Sequence, residues 1–466
     1  MNVRKVKPGI RIILLTVFIT GAMIPWYFVI QRYISNDETP EPTPVVTGNQ
    51  ITIDTPPLTQ TPDTASEPEP EFEPEPEPEP EPETEPEPEP EPELPAEDKF
   101  TDITATHPDL SGKLDEISLR FNCAAVSLVV FNGDKGEYYT YQYGYADITA
   151  QRPVNTNTKF RVASLSKLIT ATCAMALVDR EILDLDRDIS EYLGYQVRNP
   201  NNPDTPITSR MLLQHRSSIY DSEAFLASRN GNSSKSTQHL LDAGTSYKKR
   251  QPGSGFQYSN FGYSVLAAVC EKIYGKTFDI LAREVLFEPL GIDAAYVPKR
   301  LEDTENIAIL YNSKHSQTRS VQYQLDITDS GVPGYDHHLA QGNLTISAID
   351  YARILNMLGN GGVLGDIRVL SPESVFAINN TNERGAGYDQ GLATRRSAAE
   401  FMPGGEAYWH TGSSYGELTQ YIYSADGTNR GVVVITTGAT SGRTSDGMLI
   451  MCLDLSRSAW EYLISD

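Results

Sequence analysis

From residue 99 onward, apolar and polar positions recur in two rhythms. Leu110, Leu114, Ile117 and Phe121 fall at helical spacing, so 110–121 is expected to form an amphipathic helix. Cys123–Phe131 (CAAVSLVVF) is a nearly continuous apolar run. With the turn NGDKG and the segment EYYTYQYGYAD it reads as a β-hairpin. Leu165–Val178 is strongly apolar at helical spacing. Phe261–Tyr274 is a second such helix, with Gly275 placed to cap it. LTQYIYS and GVVVITT flank ADGTNR as another hairpin, and an amphipathic helix comes after them over about Met448–Ile464. Strands near both ends with helices between predict an α/β (α+β) fold. Its antiparallel sheet is formed by N- and C-terminal strands and flanked by helices, with a mostly helical lobe inserted between them.

The first 98 residues follow neither rhythm. Arg4, Lys5, Lys7 and Arg11 precede Ile12–Ile30, nineteen uncharged and mostly apolar residues that end before Arg32. At ~1.5 Å per residue this run nearly spans a ~30 Å hydrocarbon core. The basic excess before it makes 1–35 a cytoplasmic tail plus transmembrane anchor (helix 12–30). The cell membrane is then crossed once, and the rest of the chain is extracellular. A cleaved signal peptide is the competing reading. The run exceeds the ~7–15-residue apolar region of such peptides, and Trp26 and Tyr27 stand where small residues are needed. Both readings export residues 36–466. Residues 36–98 are expected to be a disordered acidic linker, because Glu67 to Glu93 is near-strict Glu-Pro alternation broken only by Phe72 and Thr84. Missing backbone donors and repelling charges keep such a chain extended. It reads as a spacer that holds 99–466 off the membrane.

Charge arithmetic isolates the folded part. Residues 1–98 hold 20 of the 31 prolines and 21 acidic residues against five Lys or Arg, a net of −16, which leaves −8 of the total −24 for residues 99–466. That ordinary acidic surface has no basic patch and argues against a nucleic-acid partner. The seven His show no H-E-x-x-H pattern. The four Cys (Cys123, Cys173, Cys270, Cys452) show no C-x-x-C pair, so no metal and no other cofactor is expected. Three of the thiols sit in apolar runs and read as buried.

Three segments carry chemistry. In FRVASLSKLITATCAMALV, Ser164 and Lys167 are three apart at the start of an apolar helix and share one face. A serine hydroxyl is a weak nucleophile until a nearby base takes its proton, and a desolvated lysine can serve. Ser-x-x-Lys alone is a common pattern. Ser246-Tyr-Lys-Lys249 is a second instance, in a polar stretch without an apolar helix. PGSGFQYSNFGYSVLAAV places Tyr258-Ser259-Asn260 on a turn into a helix, where a phenol can relay protons and an amide can bind a substrate amide. YWHTGSSYG puts His410-Thr411-Gly412 in an extended run before the last hairpin. There, glycine permits close backbone approach and Ser413 supplies the next N–H.

In this order the three segments resemble the serine penicillin-recognising family, which comprises class C β-lactamases, D-alanyl-D-alanine carboxypeptidases and related esterases and aminopeptidases. The resemblance runs across about residues 115–464. YGYADITAQRPVNTNTKFRVASLSK, KTFDILAREVLFEPLGI and GNLTISAIDYARILNMLGNGG look like framework segments of the family. It implies a β-lactamase/transpeptidase-like fold and an acyl-serine hydrolase. Ser164 would be the acylated nucleophile, Lys167 its base partner and Tyr258 the proton relay. Asn260 would hold the substrate amide, and the N–H groups of Ser164 and Ser413 would form the oxyanion hole. His410 replaces the Lys of β-lactamases, which disfavours that activity. His-Thr-Gly with Tyr-Ser-Asn is most similar to soluble D-Ala-D-Ala carboxypeptidases, which bind a terminal carboxylate with the motif's hydroxyls and an upstream Arg. Thr411 and one of Arg395 or Arg396 match that arrangement. The implied partner is a peptidoglycan stem peptide or another D-amino-acid amide or ester. An esterase or D-aminopeptidase of the same family is the alternative. The other class is a non-catalytic penicillin-binding sensor, against which the presence of Ser164, Lys167 and Tyr258 weighs. Two segments depart from the family's pattern. LLQHRSSIYD carries Arg216 and Ser218 where Thr and Gly are usual, with His215 reading as structural, and YDHHLAQGNL keeps only Gly342 of two glycines.

Overall fold

Apolar runs at the two ends of the folded region become the centre of one ten-stranded sheet in the computed structural model, which describes residues 99–228, 235–380, 383–384 and 387–464. Its main strands are β1 (Lys99–Asp102), β2 (Ala125–Asn132), β3 (Glu137–Asp147), β4 (Arg395–Ala398), β5 (Glu406–Ser414), β6 (Glu417–Ser424) and β7 (Arg430–Thr437). They lie in the order β1-β3-β2-β7-β6-β5-β4. Asp389–Gln390 and Glu383–Arg384 continue beyond β4, and Arg152–Pro153 pairs with β3. Both ends of the domain meet where β7 runs antiparallel to β2, with Val432 opposite Val130 and Val434 opposite Leu128. One pairing differs from the all-antiparallel expectation: β1 runs parallel to β3, with Phe100 opposite Tyr138. Four largely exposed residues (KFTD) carry too little apolar alternation to announce a strand, still less its direction.

Alternation along β2 explains why it reads as a continuous apolar run. Val126, Leu128 and Val130 enter one core with Leu110, Leu114, Val432, Val434 and Leu455, while Ala125, Val129 and Phe131 enter the other with Val433 and Ile435. A strand buried on both faces shows no polar side. Helices α1 (Pro108–Arg120) and, at the far end of the chain, the helix Ile450–Leu463 cover the first face. The other face meets the helical lobe. This holds α2 (Ser166–Asp179), α3 (Asn260–Tyr274), α4 (Ala348–Gly359) and several shorter helices of five to eight residues. The terminal helix is α5. Gly275 ends α3 in the left-handed region (φ 79°), as the sequence pattern required. All four cysteines are buried and free. The apolar run Ile12–Ile30 and the Glu-Pro segment lie outside the described residues. Among the described residues no helix is long and apolar enough to cross a membrane.

Candidate active site

Ser164 sits on a 3-10 turn, Ala163–Leu165, that leads directly into α2. Ala163 has φ +48°, a left-handed conformation that costs a residue with a Cβ about 1–2 kcal/mol. Ser166 holds the turn: its hydroxyl donates to Ala163 O at 2.6 Å and accepts from Leu344 N at 3.1 Å. One helical turn on, Lys167 is 1% exposed. Its ammonium donates to Ser164 Oγ (3.3 Å), Asn260 Oδ1 (2.8 Å) and Gln341 O (2.6 Å), none of them a carboxylate. Tyr258 donates its phenol proton to Ser164 Oγ at 3.0 Å. The nucleophile therefore lies within proton-transfer reach of both expected partners.

The Tyr258-Ser259-Asn260 turn is fixed from behind. Ser259 is the N-cap of α3 and accepts from Gly262 N at 2.9 Å. Asp221, which sequence reasoning passed over, accepts from Asn260 Nδ2 (2.6 Å), Phe261 N (2.9 Å) and Ser259 Oγ (3.3 Å). Asn260 thus has its carbonyl committed to Lys167 and its amide to Asp221. It steadies the lysine while lining the cavity in which the resemblance implies a substrate contact. His215 accepts from Ser259 N at 3.1 Å, and its ring lies tilted against that of Tyr258, 4.4 Å between centroids. Burial, then the charges of Lys167 and Arg395, hold its pKa well below the ordinary range, so it is a neutral, positioning ring.

β5 brings the third segment alongside. A Cβ on Gly412 would stand 2.6 Å from Val162 O and 3.1 Å from Ser164 N, so only glycine lets the strand reach the nucleophile's backbone. Ser164, Tyr258, Asn260, Ser413 and Ser414 line a cavity of about 400 Å³. Thr411, Gly412 and His410 stand outside that lining, on the strand just before it. His410 is buried, its Nδ1–H donating to Thr411 O at 2.8 Å. Burial first, then Arg395 and Lys167, depress its pKa well below the usual value. Its ring centroid is 6.2 Å from that of Tyr258, so an imidazole of lowered basicity stands beside the proton relay where β-lactamases carry a lysine.

Of the two candidate arginines, the structure brings only Arg395 to the site. Successive strand residues point to opposite faces. Arg396 turns outward to pair with Glu406, whereas the buried guanidinium of Arg395 lies 4.5 Å from the Tyr388 ring, 5.2 Å from Trp409 and 5.7 Å from Tyr258. Arg443, a second cation missed in the sequence, donates to Thr411 Oγ1 at 3.2 Å. It comes from the polar TSGRTSDG loop, in which no local pattern singled it out. The chance motif falls elsewhere: Ser246 is buried against Ser222, their hydroxyls 2.7 Å apart. Among the described residues no group of three or more His, Cys, Asp or Glu could hold a metal ion.

Known proteins are similar to this chain in sequence and in fold. Penicillin-binding protein 4* of Bacillus subtilis is 30% identical over 200 residues, 41% of this chain and 43% of that protein. Esterase EstB of Burkholderia gladioli is 29% identical over 204 residues, covering 40% and 50%. The chain thus matches about half the length of these curated relatives. In fold it is similar to a class C beta-lactamase from Rhodobacter sphaeroides (TM-score 0.59, 17% identity, 76% and 99% covered). It is likewise similar to the D-amino acid amidase of Ochrobactrum anthropi (TM-score 0.58, 22% identity, 75% and 96% covered). The family model described as Beta-lactamase matches residues 116–453, which is most of the chain and nearly all of its folded part, and on that match this protein belongs to the beta-lactamase family of serine hydrolase folds.

Proposed function

We propose that this protein is a D-alanyl-D-alanine carboxypeptidase-like acyl-serine hydrolase acting on peptidoglycan stem peptides. In this reading one of Lys167 and Tyr258 has first given its proton to solvent; Ser164 Oγ then attacks the scissile carbonyl, and that deprotonated partner takes the serine proton. The oxyanion sits between the N–H groups of Ser164 and Ser413. The C–N bond then breaks, and the departing D-alanine amine takes a proton from Tyr258. Water hydrolyses the Ser164 ester by the same groups in reverse. The apolar run at Ile12–Ile30 would hold the enzyme in the cell membrane, with the Glu-Pro spacer presenting its catalytic domain outside.

One observation supports the finer reading over an esterase or D-aminopeptidase. Arg395 is a buried guanidinium in an aromatic box, without an ion-pair partner among the described residues, opposite Trp409 and two residues short of Thr411 along β5. A substrate carboxylate would complete it, with Thr411 and Arg443 alongside. The test compares peptides ending in D-Ala-D-Ala with the same peptides carrying a C-terminal amide. Arg395→Gln should lower kcat/KM for the free acid about 10- to 100-fold more than for the amide, as loss of a charge-assisted hydrogen bond predicts. Arg396→Gln should not discriminate. If neither substitution does, the esterase or D-aminopeptidase reading replaces this one.

A further inference from the structure

Arg395 and Arg443 gather where β5 passes Thr411, but the strand continues past Ser164 to a second cationic end. The last β4 partner on β5 is Trp409, opposite Arg395, so β4 leaves the edge from His410 to Ser414 beside the nucleophile uncovered. From Thr411 to Ser414 the strand advances roughly 10 Å at ~3.3 Å per residue. There the turn residue Tyr415 meets Arg319, which comes from a separate short strand, Gln317–Arg319. The Arg319 guanidinium carbon lies 3.8 Å from the Tyr415 ring centroid and 4.5 Å from that of Tyr323, so two phenols fix its plane. Its Nη1 donates to Thr318 O at 2.7 Å, and its buried Nε has no hydrogen-bond partner.

One buried carboxylate, Glu417, is shared between two arginines, since its charge is coupled to Arg319 as well as to Arg161, so a net positive charge remains. Arg161, on the same wall, holds Glu417 at 2.8 Å, and both are buried. Arg319 has no carboxylate within ion-pair distance among the described residues. Asp326 is the one acidic residue lining the cavity. It is exposed at the rim, accepting from Gln322 at 2.8 Å, and is screened there by solvent. A guanidinium held against two rings on the wall of an open cavity, where two arginines share one carboxylate, is built to receive a planar anion.

We propose that Arg319 forms an acyl-side subsite for a carboxylate, so that the enzyme selects acyl groups bearing an anion several bonds from the scissile carbonyl. The inference rests on the acyl-serine chemistry proposed above and not on the identity of the leaving group. The experiment therefore uses p-nitrophenyl esters, with the full chain as enzyme. The acyl groups are pimelic and suberic half-acids, each compared with its terminal carboxamide. Wild type should favour acid over amide by about tenfold or more in kcat/KM, the scale of one charge-assisted contact. Arg319→Gln should bring that ratio close to one, and Arg319→Lys should leave it in between. Equal rates for acid and amide in wild type, or a ratio unchanged in Arg319→Gln, overturn the subsite. A wild-type enzyme that no ester acylates fails the acyl-serine reading itself, so the two failures are told apart.

Discussion

Ser164 Oγ accepts hydrogen bonds from Lys167 and from Tyr258 at once, so one of the two must surrender its proton before the serine can attack. Substitution separates their roles. A labelled penicillin should acylate wild type once, on the peptide holding Ser164. Lys167→Ala should slow acylation by several orders of magnitude, and Ser164→Ala should abolish it. Tyr258→Phe should cost about 10²–10⁴-fold, the usual scale of one general acid–base group. Label on Ser246, or full labelling of Ser164→Ala, would sink the mechanism. These residues were legible in the sequence because each motif is local: Ser164 and Lys167 share a helical face, and Tyr258 precedes a capped helix. Arg395 could not be told from Arg396 by sequence, because the answer depends on which face of β4 looks inward. Asp221 closes the LLQHRSSIYD segment, but its hold on the Tyr258–Asn260 turn is a contact distant in sequence; Arg443 and Arg319 were illegible for another reason. Each reaches the site from a distant loop or short strand without a motif of its own.

Strands and turns show how tightly the backbone is tuned around these side chains. Gly412 is required by contact, since a Cβ there would press on Val162 O, Ser164 N and Thr419 Oγ1. Two of the three are backbone atoms that cannot step aside. Gly412→Ala should cost about 1–3 kcal/mol of stability, the usual range for overpacking. It should also slow acylation well beyond what that loss explains, because the collision lies on the nucleophile's own N–H. Denaturant midpoints and acylation rates on one preparation check both, and a variant acylated at wild-type rate would refute the close approach. The departure at Ser218 has a comparable cause. The residue sits at φ +67°, where the family's glycine carries no steric penalty, and its hydroxyl accepts from Asn199 Nδ2 at 2.9 Å. The main hairpins and helices were readable because burial on one or two faces imposes a period. The parallel β1 and the lobe's short helices were not, since four to eight residues are too few to show one.

Closure of the sheet by both chain ends leaves the helical lobe to carry much of the active-site scaffold, including the 335–343 segment that brings Gln341 O to Lys167. That segment is anchored through His337, whose carbonyl accepts from Ser264 Oγ at 2.6 Å and whose ring faces Phe225 and His338, each at 6.0 Å between centroids. Burial, with a smaller push from His338, lowers the His337 pKa to about 4. The unfolded chain, with an ordinary pKa of about 6.5, therefore binds the proton between pH 6.5 and 4 while the folded protein refuses it. Stability from this group is present above pH 6.5 and is lost as pH falls through that window, by up to about 1.4 kcal/mol per unit. His337→Gln cannot titrate, so between pH 7.5 and pH 5 wild type should lose about 2 kcal/mol relative to the variant, whatever the lost ring packing costs at both. Glu271, Glu417 and Asp279, whose pKa values burial raises, push stability the opposite way, but they do so in both proteins and cancel in the difference. Urea midpoints at the two pH values measure it. A difference that does not change with pH would mean that the folded protein admits the proton. The segment holding Lys167 would then be insensitive to acid at this position.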